Sequence, residues 1–377
     1  MAEPISRDQG AKSRLRALEG GKADVVPTFP HWWGVYKLQM VGLDPRYFPT
    51  LGGERLTEID SNFYETYKPD LIHLGAGASR DTRRRQVVAG GDELYLFDPE
   101  TGQRNRLTPD WGIDWPQPRR ARLALQSEAE IDDWVIRHYP DAENILASGT
   151  YDHVVELVRR YGDEAFIAVN IGSPVCNIFG PNGPLGFERA LVSLYEKPRL
   201  MRYLIEQCYD RYLEEAKALA AVGCHGLIVS EAYVAADTIS PLMFDDFVYE
   251  TYKHFHQRVA ALGVVPFMYF MSNINPLLPR LADIGIKCLM VEEPKKGFDV
   301  DVVRIKERLG DSVCLVGNVD SVEVMLYGTP EDVERAVRAQ LPAARNGGFI
   351  MSAGSPLTID TPVENVHAFM RAARVAM

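Results

Sequence analysis

The chain has 377 residues, with 41 Lys plus Arg against 52 Asp plus Glu and a formal charge of −11. Apolar residues make up 46% and charged residues 25%, which supplies a large core and excludes a disordered chain. No run reaches the roughly 18 uninterrupted apolar residues of a membrane helix, the first residues lack the apolar centre of a secretory signal, and dispersed basic residues argue against a nucleic-acid surface; a cytoplasmic globular protein is expected.

Eight short apolar runs then follow one another as strands. The first is 25–30 (VVPTFP), the second 70–75 (DLIHLG) and the third 166–172 (FIAVNIG). After them come 226–231 (GLIVSE), 265–270 (VPFMYF), 288–293 (CLMVEE), 313–318 (VCLVGN) and 348–354 (GFIMSAG). Apolar runs this continuous mark strands buried on both faces, as in a parallel sheet. Helical stretches separate them. Residues 198–223 open on Pro and close on Gly, 240–263 open on Ser240-Pro241, and Thr329-Pro330 and Thr361-Pro362 open two more. Strand and helix alternating eight times predict an α/β fold, a (β/α)8 barrel in a single unit over 1–377. One excursion, about 80–144, follows the second strand. It contains a hairpin of 94–97 and 104–107 around the turn DPETGQ, then the Trp- and Arg-rich WGIDWPQPRRAR, read as a lid or a subunit contact. The five cysteines, Cys176, Cys208, Cys224, Cys288 and Cys314, form no C-x-x-C and read as reduced, mostly buried thiols.

In such a barrel, chemistry sits at the carboxyl ends of the strands. Those positions nominate His31, Trp32, Trp33 and Tyr36 after the first strand, His73 in the second, and Asn170 in the third. Ser230, Glu231 and Tyr233 follow the fourth; Tyr269, Met271 and Asn273 the fifth; Glu292 and Glu293 the sixth; Asn318 and Asp320 the seventh; Ser352 and Ser355 the eighth. The aromatic residues read equally as a floor for a planar ligand or as a plug. Glu231 and Glu292 read as proton donors or as structural carboxylates, and His73 as a ligand contact or a core histidine. Arg83, Arg84 and Arg85 read as a solvated or subunit face. No hydrolase elbow, zinc-protease helix, phosphate loop or dinucleotide fingerprint is present.

The segments CLVGNVDSVEVMLYGTPEDVERAV, GGFIMSAGSPLTIDTPVENVHAFMRAAR and GCHGLIVSEAYVAADTISPLMFDDFVYETYKHFHQRVAALG resemble the uroporphyrinogen decarboxylase superfamily. The resemblance implies a (β/α)8 barrel, a homodimer, and one of two activities: tetrapyrrole decarboxylation or cobamide-dependent methyl transfer. The decarboxylases carry Arg-Gln-Ala-Gly-Arg-Tyr after the first strand and Gly-His-Gly after the eighth. This sequence has FPHWWGVYKL, with Lys37 alone as a cation, and Gly354-Ser355-Pro356. The thiol-activating methyltransferases hold zinc through His-x-Cys and a later Cys, whose places are here Tyr269, Met271 and Ser355. These types do not suit zinc. The expectation is therefore methyl transfer from a small aromatic or methoxylated substrate to a cobamide carried by a separate corrinoid protein. No metal and no tightly bound cofactor is expected. Glu231, Tyr269 and His31 are the expected catalytic groups. Trp32, Trp33, Tyr36, His73, Asn170, Tyr233, Met271, Asn273, Glu292, Asn318 and Ser355 are the expected substrate contacts. The alternatives are a decarboxylase or lyase on a small carboxylic acid, using Lys37 or the Arg83 run, and a non-catalytic ligand-binding barrel.

Overall fold

Seven of the apolar runs form one parallel curled sheet, in strand order β1-β5-β6-β7-β8-β9-β10. Its members are β1 (Leu71–Leu74), β5 (Phe166–Gly172), β6 (Gly226–Glu231), β7 (Val265–Phe270), β8 (Cys288–Val291), β9 (Cys314–Val316) and β10 (Phe349–Ile350). The computed structural model describes residues 17–31, 34–109, 112–114, 122–180, 183–294 and 297–374. The first apolar run differs from expectation, being a short bridging segment rather than a strand. Leu71 N donates to Thr28 O at 3.1 Å, Phe29 N to Met351 O at 2.8 Å, and Met351 N to Pro27 O at 2.8 Å. Residues 27–29 thus bond to both outer members of the sheet. Pro27 and Pro30 lack amide hydrogens, so this segment cannot extend into a longer ladder. The architecture is α/β and TIM-barrel-like.

The excursion holds a separate three-stranded antiparallel sheet of β2 (Gln86–Gly90), β3 (Glu93–Phe97) and β4 (Arg104–Leu107). Phe97 pairs with Arg104, and Asp98 Oδ1 accepts from Glu100 N at 2.9 Å to shape the turn. The strand Gln86–Gly90 has no counterpart in the sequence reading. Most of WGIDWPQPRRAR lies outside the described residues. Among the described residues, no helix is long and apolar enough to cross a membrane.

Side chains alternate across each strand, and this separates two cores. Leu71, Ala168, Ile228, Phe267, Met290 and Val316 fill the inside of the curl. Ile72, Val169, Leu227, Met268, Leu289 and Leu315 pack outward against the helices. The helices are set by local chemistry. Ser173 caps Pro174–Phe179 by accepting from Val175 N and Cys176 N, and Thr329 with Asp332 forms a capping box at Pro330–Gln340. The stretch expected as one helix over 240–263 is instead Pro241–Phe244, a π-helical turn Asp245–Tyr249, and Glu250–Ala261.

Candidate functional site

The alternation of each strand decides which nominated side chains meet. His73 follows Leu71 on the inner face of β1. Its ring lies 5.5 Å from Phe29 and 4.9 Å from His31. His31 in turn meets Tyr269 edge-on at 4.9 Å. All three are buried. One carbonyl joins two of them: Gly354 O accepts from Tyr269 Oη at 2.9 Å and lies 3.2 Å from His31 Nδ1. A carbonyl only accepts, so that contact places an imidazole hydrogen on Nδ1 of His31. Gly354 must be glycine, because a Cβ there would stand 2.4 Å from both Glu293 N and Glu293 Oε2. Glu292, on the inner side, accepts from Ser355 Oγ at 3.4 Å. Burial raises the Tyr269 phenol well above its ordinary value, and the Glu292 and Glu293 charges add to this. The phenol is therefore a neutral donor. Desolvation likewise holds His73 well below the ordinary histidine value, with His31 and Lys37 adding to it.

A second pair lines the same inner face. Asn170 Nδ2 donates to Ser230 Oγ at 2.6 Å, while Asn170 Oδ1 accepts from Gly172 N at 2.7 Å. Met271 packs on the inner core. The residues brought together are thus His31, His73, Tyr269, Glu292 and Ser355, with Asn170 and Met271 on the same side of the sheet.

Other expected contacts are placed elsewhere. Glu231 lies one residue beyond inward-facing Ser230 and so points to the helix side. It is wholly buried there, accepting from Ser173 Oγ and, at 2.8 Å, from Tyr209 Oη. Cys176 Sγ is 3.6 Å from its other oxygen. Burial dominates over these donors and pushes the carboxyl up to about 7, so its proton-holding character is real but is turned away from His31 and Tyr269. Tyr36 is a core residue, packed 5.9 Å from Phe63 and bonded to Tyr67 Oη at 3.2 Å. Asn318 is a brace: its Nδ2 donates to Glu292 O and Val300 O at 3.1 and 3.0 Å, and its Oδ1 accepts from Gln340. Asn273 accepts from Asn275 N at 3.2 Å and shapes its own loop. Tyr233, in the loop after β6, packs at a tilt against Phe187 with ring centres 5.6 Å apart. Trp32 and Trp33 lie outside the described residues.

Lys37 is buried in an ion pair with Asp60. Arg83 is bound to Asp152 at 2.6 Å, and Arg85 contacts Asp81 and Asp98 at 3.1 and 3.5 Å. Among the described residues, no three His, Cys, Asp or Glu side chains are grouped to hold a metal ion. Sequence reasoning gave no role to the Gly354 carbonyl or to the Ser173–Cys176–Tyr209 cage around Glu231. The glycine between a strand and Ser355 was the available signal for the first; nothing local announced the second.

A family model described as uroporphyrinogen decarboxylase matches residues 119–375. A uroporphyrinogen decarboxylase from Methylococcus capsulatus is 28% identical over 239 residues, covering 62% of this chain and 65% of that protein. The methylcobamide:CoM methyltransferase MtaA of Methanosarcina barkeri is 27% identical over 210 residues, covering 54% and 59%. The chain thus spans less than two thirds of the length of either curated relative. A solved methyltransferase from Methanosarcina mazei shares the fold, with a TM-score of 0.70 at 19% identity over 97% of this chain and 98% of that one. The family model takes in the strands β5 to β10 that build most of this inner face, and on that match the chain belongs to the uroporphyrinogen decarboxylase family.

Proposed function

We propose that this protein transfers a methyl group from a small aromatic, methoxylated substrate to a cobamide presented by a separate corrinoid protein, without zinc. The observation that carries the reading is the inner cluster of the buried rings of His31, His73 and Tyr269, two of them on the Gly354 carbonyl, where the decarboxylases have arginine and the thiol-activating enzymes have zinc ligands. Uroporphyrinogen bears many carboxylates, which need cationic forks on entering a buried site. Lys37, Arg83 and Arg85 are each already held by carboxylates, which also weighs against the lyase alternative. The zinc positions hold a phenol raised by burial, a thioether and a hydroxyl, and that donor set does not fit the metal.

A cobamide, when delivered, supplies the nucleophile that takes the methyl group. The chain's own task is to hold the ether and stabilise the departing oxygen. Tyr269 and Ser355 are the hydroxyls nearest that role, each exchanging its present bond, to the Gly354 carbonyl and to Glu292, for one to the departing oxygen. His31 is fixed through Nδ1 to the Gly354 carbonyl beside them, and Glu292 accepts from Ser355. Glu231 takes no part, since it faces the helices. The protein acts as a homodimer in this reading. The test is incubation with a reduced corrinoid protein and a panel of methoxyarenes. Methylcobalt absorbance together with released phenol is expected. Its absence across the panel, or carbon dioxide release from a small acid without corrinoid, refutes the reading.

A further inference from the structure

We propose that His73 and His31 form a hydroxyl-recognising subsite inside the barrel, which takes a neutral hydroxyl group of an aromatic ligand. The inference rests on the reading that the inner face holds an aromatic substrate. His73 is completely buried between the Phe29 and His31 rings, and among the described residues neither of its nitrogens has a hydrogen-bonding partner. Buried polar atoms are nearly always satisfied, and one left bare carries a desolvation penalty. His256 also has both nitrogens bare, but it lies on the helix side, edge-on to Tyr252. Position therefore matters as much as the missing partners: His73 stands beside His31 and Tyr269, where a ligand is expected.

The chemistry of a group that would satisfy both nitrogens follows from the ring. A neutral imidazole offers one N–H donor and one lone pair, and desolvation keeps His73 neutral. An alcohol or phenol matches, because its oxygen accepts and its hydrogen is donated. A carboxylate or phenolate would bring a charge beside Phe29 and a neutral imidazole, and Lys37, the cation that acts on His73, is already held by Asp60.

Phenol, anisole and benzoate distinguish these cases, titrated into the full chain at pH 7 by calorimetry, with His73→Leu and His73→Asn alongside. The wild type is expected to bind phenol about tenfold more tightly than anisole, as one added buried hydrogen bond allows, and benzoate most weakly. His73→Leu should erase the phenol advantage and leave anisole unchanged; His73→Asn, which keeps a donor and an acceptor, should retain part of it. The wild-type advantage should also vanish as phenol ionises near pH 10, a readout that survives if the leucine variant fails to fold. Equal affinity for phenol and anisole, a gap that persists in His73→Leu, or tightest binding of benzoate overturns the subsite. Anisole binding without a gap overturns the subsite alone. If none of the three binds, the aromatic-substrate reading falls with it.

Discussion

Replacing Glu231 by Gln separates burial from charge at the carboxylate that the fold turns away from the inner cluster. In the folded protein this carboxyl titrates at about 7, against an ordinary 4.5. The folded state therefore binds the proton more tightly than the unfolded chain. Stability is fully present below about pH 4.5, falls as pH rises towards 7, and stays lower above it. At about 1.4 kcal/mol per pH unit, the ionised form costs about 3 kcal/mol. Glutamine copies the protonated acid in shape, keeping an oxygen for Ser173 and Tyr209, but has nothing to ionise. Thermal unfolding of both proteins at pH 4.5 and pH 8 tests this. The melting temperatures should nearly coincide at pH 4.5, and the variant should melt about 4 °C higher at pH 8, taking ~2.1 cal/mol/K of unfolding entropy per residue. A Gln variant that is less stable at pH 8, or that differs by the same amount at both values, would refute the reasoning.

Tyr269→Phe removes one donor to the Gly354 carbonyl. It should cost about 1 kcal/mol in urea unfolding, yet lower methyl transfer by tenfold or more in the corrinoid assay. Gly354→Ala forces a methyl against the Glu293 backbone and should destabilise by about 1–3 kcal/mol, with a matching loss of ligand affinity by calorimetry. Lys37→Met strands Asp60 inside the protein and should cost about 3–5 kcal/mol in urea. The double variant Lys37→Met with Asp60→Leu should recover most of that loss. Histidine NMR of the ligand-free protein should show His73 remaining neutral through pH 6, because desolvation lowers its affinity for a proton.

Strand positions were legible because continuous apolar runs of this length have few alternatives. The runs at 166–172, 226–231 and 265–270 coincide with β5, β6 and β7. The same continuity hid the direction of each side chain. A strand apolar on both faces carries no alternation, so Ser230 and Glu231 looked equivalent although one faces the inner cluster and the other the helices. His31, His73 and Tyr269 come together through the register of the sheet, which the individual runs do not encode. Tyr36 and Asn318 show the same gap between place in the chain and partner in space. Each follows a strand end, but their partners, Tyr67 and Gln340, belong to helices distant in sequence. The first run is shorter than its apolar character suggests, because Pro27 and Pro30 have no amide hydrogen to give to a ladder.

The contacts at Thr28 also bear on how the protein is made. This segment bonds to Leu71 and to Met351, so the last of these contacts must wait until residue 351 has left the ribosome. Until then the Thr28 segment and the latest emerged strand each present an uncovered rim of amides and carbonyls, a template for mispairing with other nascent chains.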